Sequence, residues 1–324
     1  MSEAALEPDL PICDPHHHLW DYPDSRYMLE ELRADTGTGH NVRMTVFVEC
    51  GSAWRSEGPE FFRPVGETEF VAAEAGRSES SADPGSVIAA IVGYADLRDP
   101  GLEDVLAAHV DAGGGRFRGV RQVASRDDSP DIHTSHTDPP AHLLADPAFR
   151  AGLVALGRAG HTFDAYLYHP QLPELTDAAR AAPGTVIVVD HLGGPIGIGP
   201  YAGRREEVLE VWRRGMEDLA RCENVVLKLG GIGMPIYGQD WHRRPSEPSS
   251  EELAEVWGRE IRWCIERFGV ERCMFESNFP VDKRSCSYVV LWNAFKRIVA
   301  GASASEKSAL FHDNAARIYR LAGA

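Results

Sequence analysis

The chain is predicted to be an α/β protein, folded as one (β/α)8 barrel of the TIM type. Eight short β-rich runs succeed one another along its 324 residues, and a segment of helical character follows each. Such alternation implies parallel strands joined by right-handed crossovers, and eight repeats are enough to close the sheet on itself. No GxGxxG turn follows the first run, which counts against an open dinucleotide-binding sheet.

The runs are ICDPHHH (12–18), MTVFVEC (44–50), VIAAIVGYAD (87–96), RGVRQ (118–122), TFDAYLY (162–168), VIVVDH (186–191), VVLKLGG (225–231) and CMFESNF (273–279). Continuous apolar runs suit strands covered on both faces. Leu102 to Asp111, Arg204 to Arg221, Glu251 to Phe268 and Ala304 to Leu321 space their apolar residues three and four apart, the pattern of a helix with one buried stripe. Gly160 and Gly269 stand where helices would stop. With no linker and no internal repeat, residues 1–324 read as one domain, with long βα loops over the barrel mouth at about 123–146 and 231–250.

Composition narrows the function. The chain is 43% hydrophobic and 25% charged, so it can bury a large core without staples. Its net charge of -16 would repel nucleic acid and anionic membranes, leaving a small molecule as the expected partner and a homo-oligomer as an open option. Six cysteines form no CxxC pair and lie mostly in apolar runs, as buried thiols of a reducing compartment do. The first residues, MSEAALEPDLP, lack an apolar signal region, and no stretch approaches 18 apolar residues; a cytoplasmic protein is expected.

In a barrel of this kind chemistry collects where the strands end. The first run ends in His16-His17-His18, and alternation along a strand turns His16 and His18 to one side and His17 to the other. Two imidazoles on one side make half of a divalent-metal site. The fifth run ends in Tyr168-His169-Pro170 and the sixth in Asp190-His191 followed by Gly193-Gly194, whose lack of side chains would let a substrate approach the backbone. Arg118 and Arg121 lie in the fourth run, where a guanidinium can grip a carboxylate or form a structural ion pair. Lys228 lies in an apolar strand and needs a partner, either Glu49 or a substrate. The eighth run supplies Glu276 and Asp282 as possible bases or ligands, and Asn278, which can be neither.

These pieces together resemble the amidohydrolase superfamily, in the amidohydrolase-2 branch that holds sugar lactonases, 2-pyrone-4,6-dicarboxylate lactonase and related decarboxylases. The resemblance rests on DPHHHLWD (14–21), FRGVRQ (117–122), YHPQLPEL (168–175), VVDHLGGP (188–195), MFESNFPVD (274–282) and NAARIYRL (314–321). It implies metal-ligand roles for His16, His18 and His169, a catalytic role for His191, and a grip by Arg121 on a substrate carboxylate or lactone carbonyl. The family's strand eight ends in Ser-Asp-aromatic-Pro, whose aspartate activates water; here the segment reads Ser277-Asn278-Phe279-Pro280. One divalent ion, zinc or manganese, is therefore expected to bind weakly or not at all. Asp282 replaces the lost carboxylate, or Asn278 orients water while His191 serves as base. His16 and His18 polarise the carbonyl, and Tyr168 and Lys228 join Arg121 against the substrate. The expected activity is hydrolysis of a small cyclic ester, a sugar lactone or a pyrone. A metal-dependent decarboxylase and a barrel that only binds its ligand are the alternatives.

Overall fold

The computed structural model describes residues 3–80, 85–133 and 135–321. Its main sheet is built from β1 (Pro11–His17), β2 (Asn41–Val48), β3 (Val87–Gly93), β4 (Phe117–Arg121), β5 (Thr162–Ala165), β6 (Ile187–Val189), β7 (Val225–Leu229) and β8 (Cys273–Phe275). The eight strands stand in sequence order and every neighbouring pair is parallel. Helices α1 (Leu29–Thr36), α2 (Val65–Glu79), α3 (Leu102–Ala112), α4 (Pro147–Arg158), α5 (Leu172–Ala181), α6 (Arg205–Ala220), α7 (Ser250–Phe268) and α8 (Tyr288–Ile298) each follow one strand. This is a TIM barrel. The seam between β8 and β1 is drawn together just beyond β8, where His18 N–H donates to the Phe279 carbonyl at 2.8 Å and Asn278 N–H to the His16 carbonyl at 2.9 Å.

Alternation along the strands makes two apolar regions. Met44, Val46, Val48, Ala90, Val92, Val188, Val226 and Met274 fill the barrel interior, while Phe47, Ile91, Phe163, Ile187, Leu227 and Phe275 face the helices. In β1 the alternation slips: Asp14 pairs with Thr45 and His17 with Phe47, so between these pairs β1 carries one residue more than β2, after an opposite slip where Ile12 pairs with Val42 and Cys13 with Met44. The bulge lets His16 face inward although Cys13, three residues earlier, already does.

The closing helix expected over Ala304–Leu321 runs from Ala304 to Ile318 and widens into a π turn at Ala309–Asp313. Ala315, Ala316, Ile318, Tyr319 and Leu321 pack into the interior cluster, so this segment plugs one end of the barrel. An unforeseen hairpin, Trp20–Tyr22 with Ser25–Tyr27, follows β1. The segments after β4 and β7 are long and, among the described residues, broken only by short 3-10 turns such as Leu143–Ala145 and Trp241–Arg243.

Candidate active site

Beneath the mouth lies a layer of buried charge. Lys228 on β7 points inward, fully buried, 2.8 Å from Asp164 on β5 and 3.0 Å from Asp190 after β6. Tyr319 Oη donates to the same Asp164 oxygen at 2.6 Å from the plug side. Burial alone would lower the Lys228 pKa, but the two carboxylates outweigh it and hold the ammonium charged. Glu49, proposed as its partner, belongs instead to Arg121: Arg121 Nε donates to Glu49 Oε1 at 2.7 Å and Nη2 to the Glu49 carbonyl. Arg121 Nη1 reaches toward His16 Nε2 at 3.3 Å and stands 3.5 Å from Asp190.

Above that layer three imidazoles and a glutamate set the chemistry. His16 and His18 rings meet edge to face at 4.9 Å between centroids, and His16 lies 4.5 Å from His191. His17 turns away and packs against Phe47 at 5.9 Å. Glu276, fully buried, spans two histidines: Oε1 is 2.7 Å from His191 Nδ1 and Oε2 is 2.9 Å from His16 Nδ1. Burial would raise the Glu276 pKa, yet His191 and then His16 outweigh that and keep the carboxylate ionised. The tautomers follow. His191 gives its Nδ1 proton to Glu276 and keeps a lone pair on Nε2. His16 stands between two cations: its Nδ1 faces the Lys228 ammonium at 3.1 Å and its Nε2 faces the Arg121 guanidinium at 3.3 Å. His18 gives Nδ1–H to the Val48 carbonyl at 2.8 Å, which leaves its Nε2 an acceptor too. Burial, then the neighbouring His16 and the charge of Arg121, push the His18 pKa well down.

A cavity of about 230 Å3 opens at this level, lined by His18, Arg121, Tyr166, His191 and Asn278, with Trp20, Tyr22 and His136 toward its rim. His136, from the loop after β4, bonds Glu49 Oε2 at 2.8 Å and so joins that loop to the Arg121 pair.

Several expected residues stand elsewhere. His169 lies past the end of β5, its Nδ1 accepting the Ile196 amide at 3.4 Å and its ring against Tyr201 at 5.2 Å. Among the described residues, the ligand atoms that gather within 4.8 Å of one another come from His16, His191 and Glu276, not from His16, His18 and His169. Tyr168 donates to the His133 carbonyl at 2.6 Å, and Tyr166 lines the cavity in its stead. The chain leaves the wall at Ala165, so strand alternation no longer governs either tyrosine. Lys228 is beneath the cavity floor and outside its lining. Arg118 is turned toward the Gly115 carbonyl at 2.7 Å. Asp282 is fully buried behind Asn278. His18 was expected to polarise a carbonyl, but with Nδ1–H committed to Val48 its free nitrogen has no proton to donate.

The chain belongs to the amidohydrolase-2 family, whose model, described as Amidohydrolase, matches residues 13–321. It is 34% identical to the uncharacterized protein y4mH of Sinorhizobium fredii, covering 97% of this chain and 99% of that one. It is 28% identical to L-fucono-1,5-lactonase of Burkholderia multivorans over 95% of each chain. A crystal structure of an amidohydrolase from Burkholderia multivorans with bound zinc has the same fold, with a TM-score of 0.75 at 24% identity over 96% of this chain and 99% of that one.

The His16, His191 and Glu276 cluster is where a metal would be sought in this chain. Its donor chemistry fits one poorly. His191 and Glu276 already face one another as N–H and carboxylate, His16 Nε2 faces the Arg121 guanidinium, and the Lys228 ammonium stands 3.1 Å from His16 Nδ1. A divalent ion there would meet two fixed positive charges in a buried space.

Proposed function

We propose that the chain hydrolyses a small, uncharged cyclic ester, with His191 as the base that activates water. The observation that carries this is the pair of His191 Nδ1 and Glu276 Oε1 at 2.7 Å, with the rest of the imidazole lining the cavity. A buried carboxylate on one ring nitrogen fixes the tautomer and stabilises the imidazolium formed when the other takes a proton. His18 lacks that partner, since a neutral carbonyl holds its Nδ1.

In the proposed reaction, water gives a proton to His191 Nε2 as its oxygen bonds to the lactone carbonyl carbon. The carbonyl oxygen becomes anionic and is met by the N–H groups that Arg121 has left. The tetrahedral carbon then expels the ring oxygen, which takes the proton back from His191, and the open hydroxy acid leaves. Arg121 suits a carbonyl better than a carboxylate. Its side face is taken by Glu49 and its charge is matched by Glu49 and Asp190. Near the cavity Glu49, Asp164, Asp190 and Glu276 surround two fixed cations, Arg121 and Lys228, a balance that disfavours an anionic substrate. The relative named as an L-fucono-1,5-lactonase supports the cyclic-ester reading. The six buried, unbridged cysteines fit a reducing compartment such as the cytoplasm.

A panel of uncharged six-membered aldonolactones and carboxylated pyrones, followed with a pH indicator, tests this. The neutral lactones should acidify the solution, before and after EDTA treatment of the protein. His191→Asn should lower kcat by about 100- to 10,000-fold. No turnover of any lactone, or carbon dioxide released from the carboxylated compounds, would overturn the reading.

A further inference from the structure

The side chain of Asp282 touches neither cavity nor base, yet two loops of the mouth meet through it. Oδ2 accepts the Gly233 amide at 2.7 Å, from the loop after β7, and Oδ1 accepts Asn278 Nδ2 at 2.8 Å, from the loop after β8. Ser285 Oγ donates to the Gly233 carbonyl at 2.6 Å and secures the same junction. Asn278 lines the cavity and is held at a φ of 56°, in the left-handed region that side-chain-bearing residues avoid. Its amide has unlike ends. A carboxylate can only accept, so Asn278 must turn its nitrogen to Asp282, and its oxygen is left for the cavity.

We propose that Asp282 is a positioning residue: it orients the Asn278 amide so that Asn278 Oδ1 and His191 Nε2 each receive one hydrogen of the attacking water. This rests on the hydrolytic reading above. Water held at both hydrogens presents its lone pair to the carbonyl carbon, and only the hydrogen facing His191 is transferred. The amide thus does by orientation what the family's aspartate does by accepting a proton. Asp282 can set this orientation only while ionised. Burial pushes its pKa up to about 7, against the lowering effect of the Gly233 N–H, His191 and Asn278; Glu276 raises it further, and Tyr237 and Cys286 are its other titratable neighbours.

The test is a double-substitution cycle with a spectroscopic arm. Asp282→Asn has one acceptor oxygen where the carboxylate has two, so it must give up either Gly233 or Asn278. With the best neutral lactone of the panel, Asp282→Asn and Asn278→Ala should each lower kcat by about 10- to 100-fold, the scale of one charge-assisted hydrogen bond, with KM little changed. The double variant should be no slower than Asn278→Ala alone, because Asp282 acts only through that amide. Losses that multiply would overturn the proposal and make Asp282 act on the substrate by itself. The second arm needs no substrate. The Asn278 side-chain amide, assigned by its disappearance in Asn278→Ala, should be protected from exchange and should shift with a midpoint near pH 7. Asp282→Asn should abolish both features. An amide that neither titrates nor responds to Asp282→Asn would overturn the proposal even if lactones are hydrolysed. Should no lactone turn over, the hydrolytic reading falls and the amide still decides the positioning. Should Asp282→Asn not fold, the wild-type amide titration decides alone.

Discussion

Arg121 shows what a sequence can and cannot reveal about one side chain. Its place at the end of a barrel strand was legible, and it does line the cavity. Its partner was not, because Glu49 lies 72 residues away and only the closed barrel brings the two together. The same holds for Glu276, seen as a base or ligand but in fact the acceptor for His191, with His16 2.9 Å from its other oxygen. Removing Arg121 leaves the buried Glu49 without its cation. Arg121→Met should therefore cost about 3–5 kcal/mol of stability in addition to slowing catalysis, since an unpaired buried charge is the expensive outcome. Adding Glu49→Gln should return much of that loss in a urea melt while catalysis stays impaired. Unchanged stability in Arg121→Met would show that Glu49 finds compensation elsewhere.

At the scale of elements, the strand order and the facing of His16 and His18 followed from apolar runs and alternation. The β1 bulge did not, since one extra residue against β2 leaves no mark in composition. Nor did the hairpin Trp20–Tyr22 with Ser25–Tyr27, whose strands are three residues each and largely exposed. Small residues at contact points were equally silent. Gly152, in α4, lets the helix settle against the chain after β3, and a Cβ there would overlap the Leu97 carbonyl oxygen. Gly152→Ala should destabilise the protein by about 1–3 kcal/mol, as overpacking of a fixed backbone does. A thermal melt equal to the wild type would mean that α4 can slide outward at little cost.

Over the whole molecule the buried carboxyls pull in two directions. Glu276 and Asp190 are ionised and partnered, with pKa values held down; their contribution is present above about pH 4 and is lost only in stronger acid. Asp282 and Glu67 behave oppositely. Burial pushes each up to about 7, helped at Glu67 by the charge of Glu49. A raised carboxyl stabilises the fold while it stays protonated, and that contribution fades as pH rises from the unfolded value, near 4, through the folded one, near 7. The melting temperature should thus fall between pH 5 and pH 8, and Glu67→Gln should flatten the decline. A Glu67→Gln curve parallel to the wild type would assign the decline to other groups. None of this could be read from net charge, which counts carboxyls without regard to where folding puts them.

The plug carries a consequence for the order in which the molecule is assembled. Tyr319 grips an aspartate 155 residues earlier in the chain, at the deepest point of the charged layer. A chain that has paired all eight strands but not yet seated this last turn would hold Lys228 above a wet, open floor, with water competing for Asp164. Joining such distant partners is entropically slow, and only non-local contacts reward it. Seating of the charged layer is therefore expected to be a late event, timed by a segment that lies outside the cavity lining.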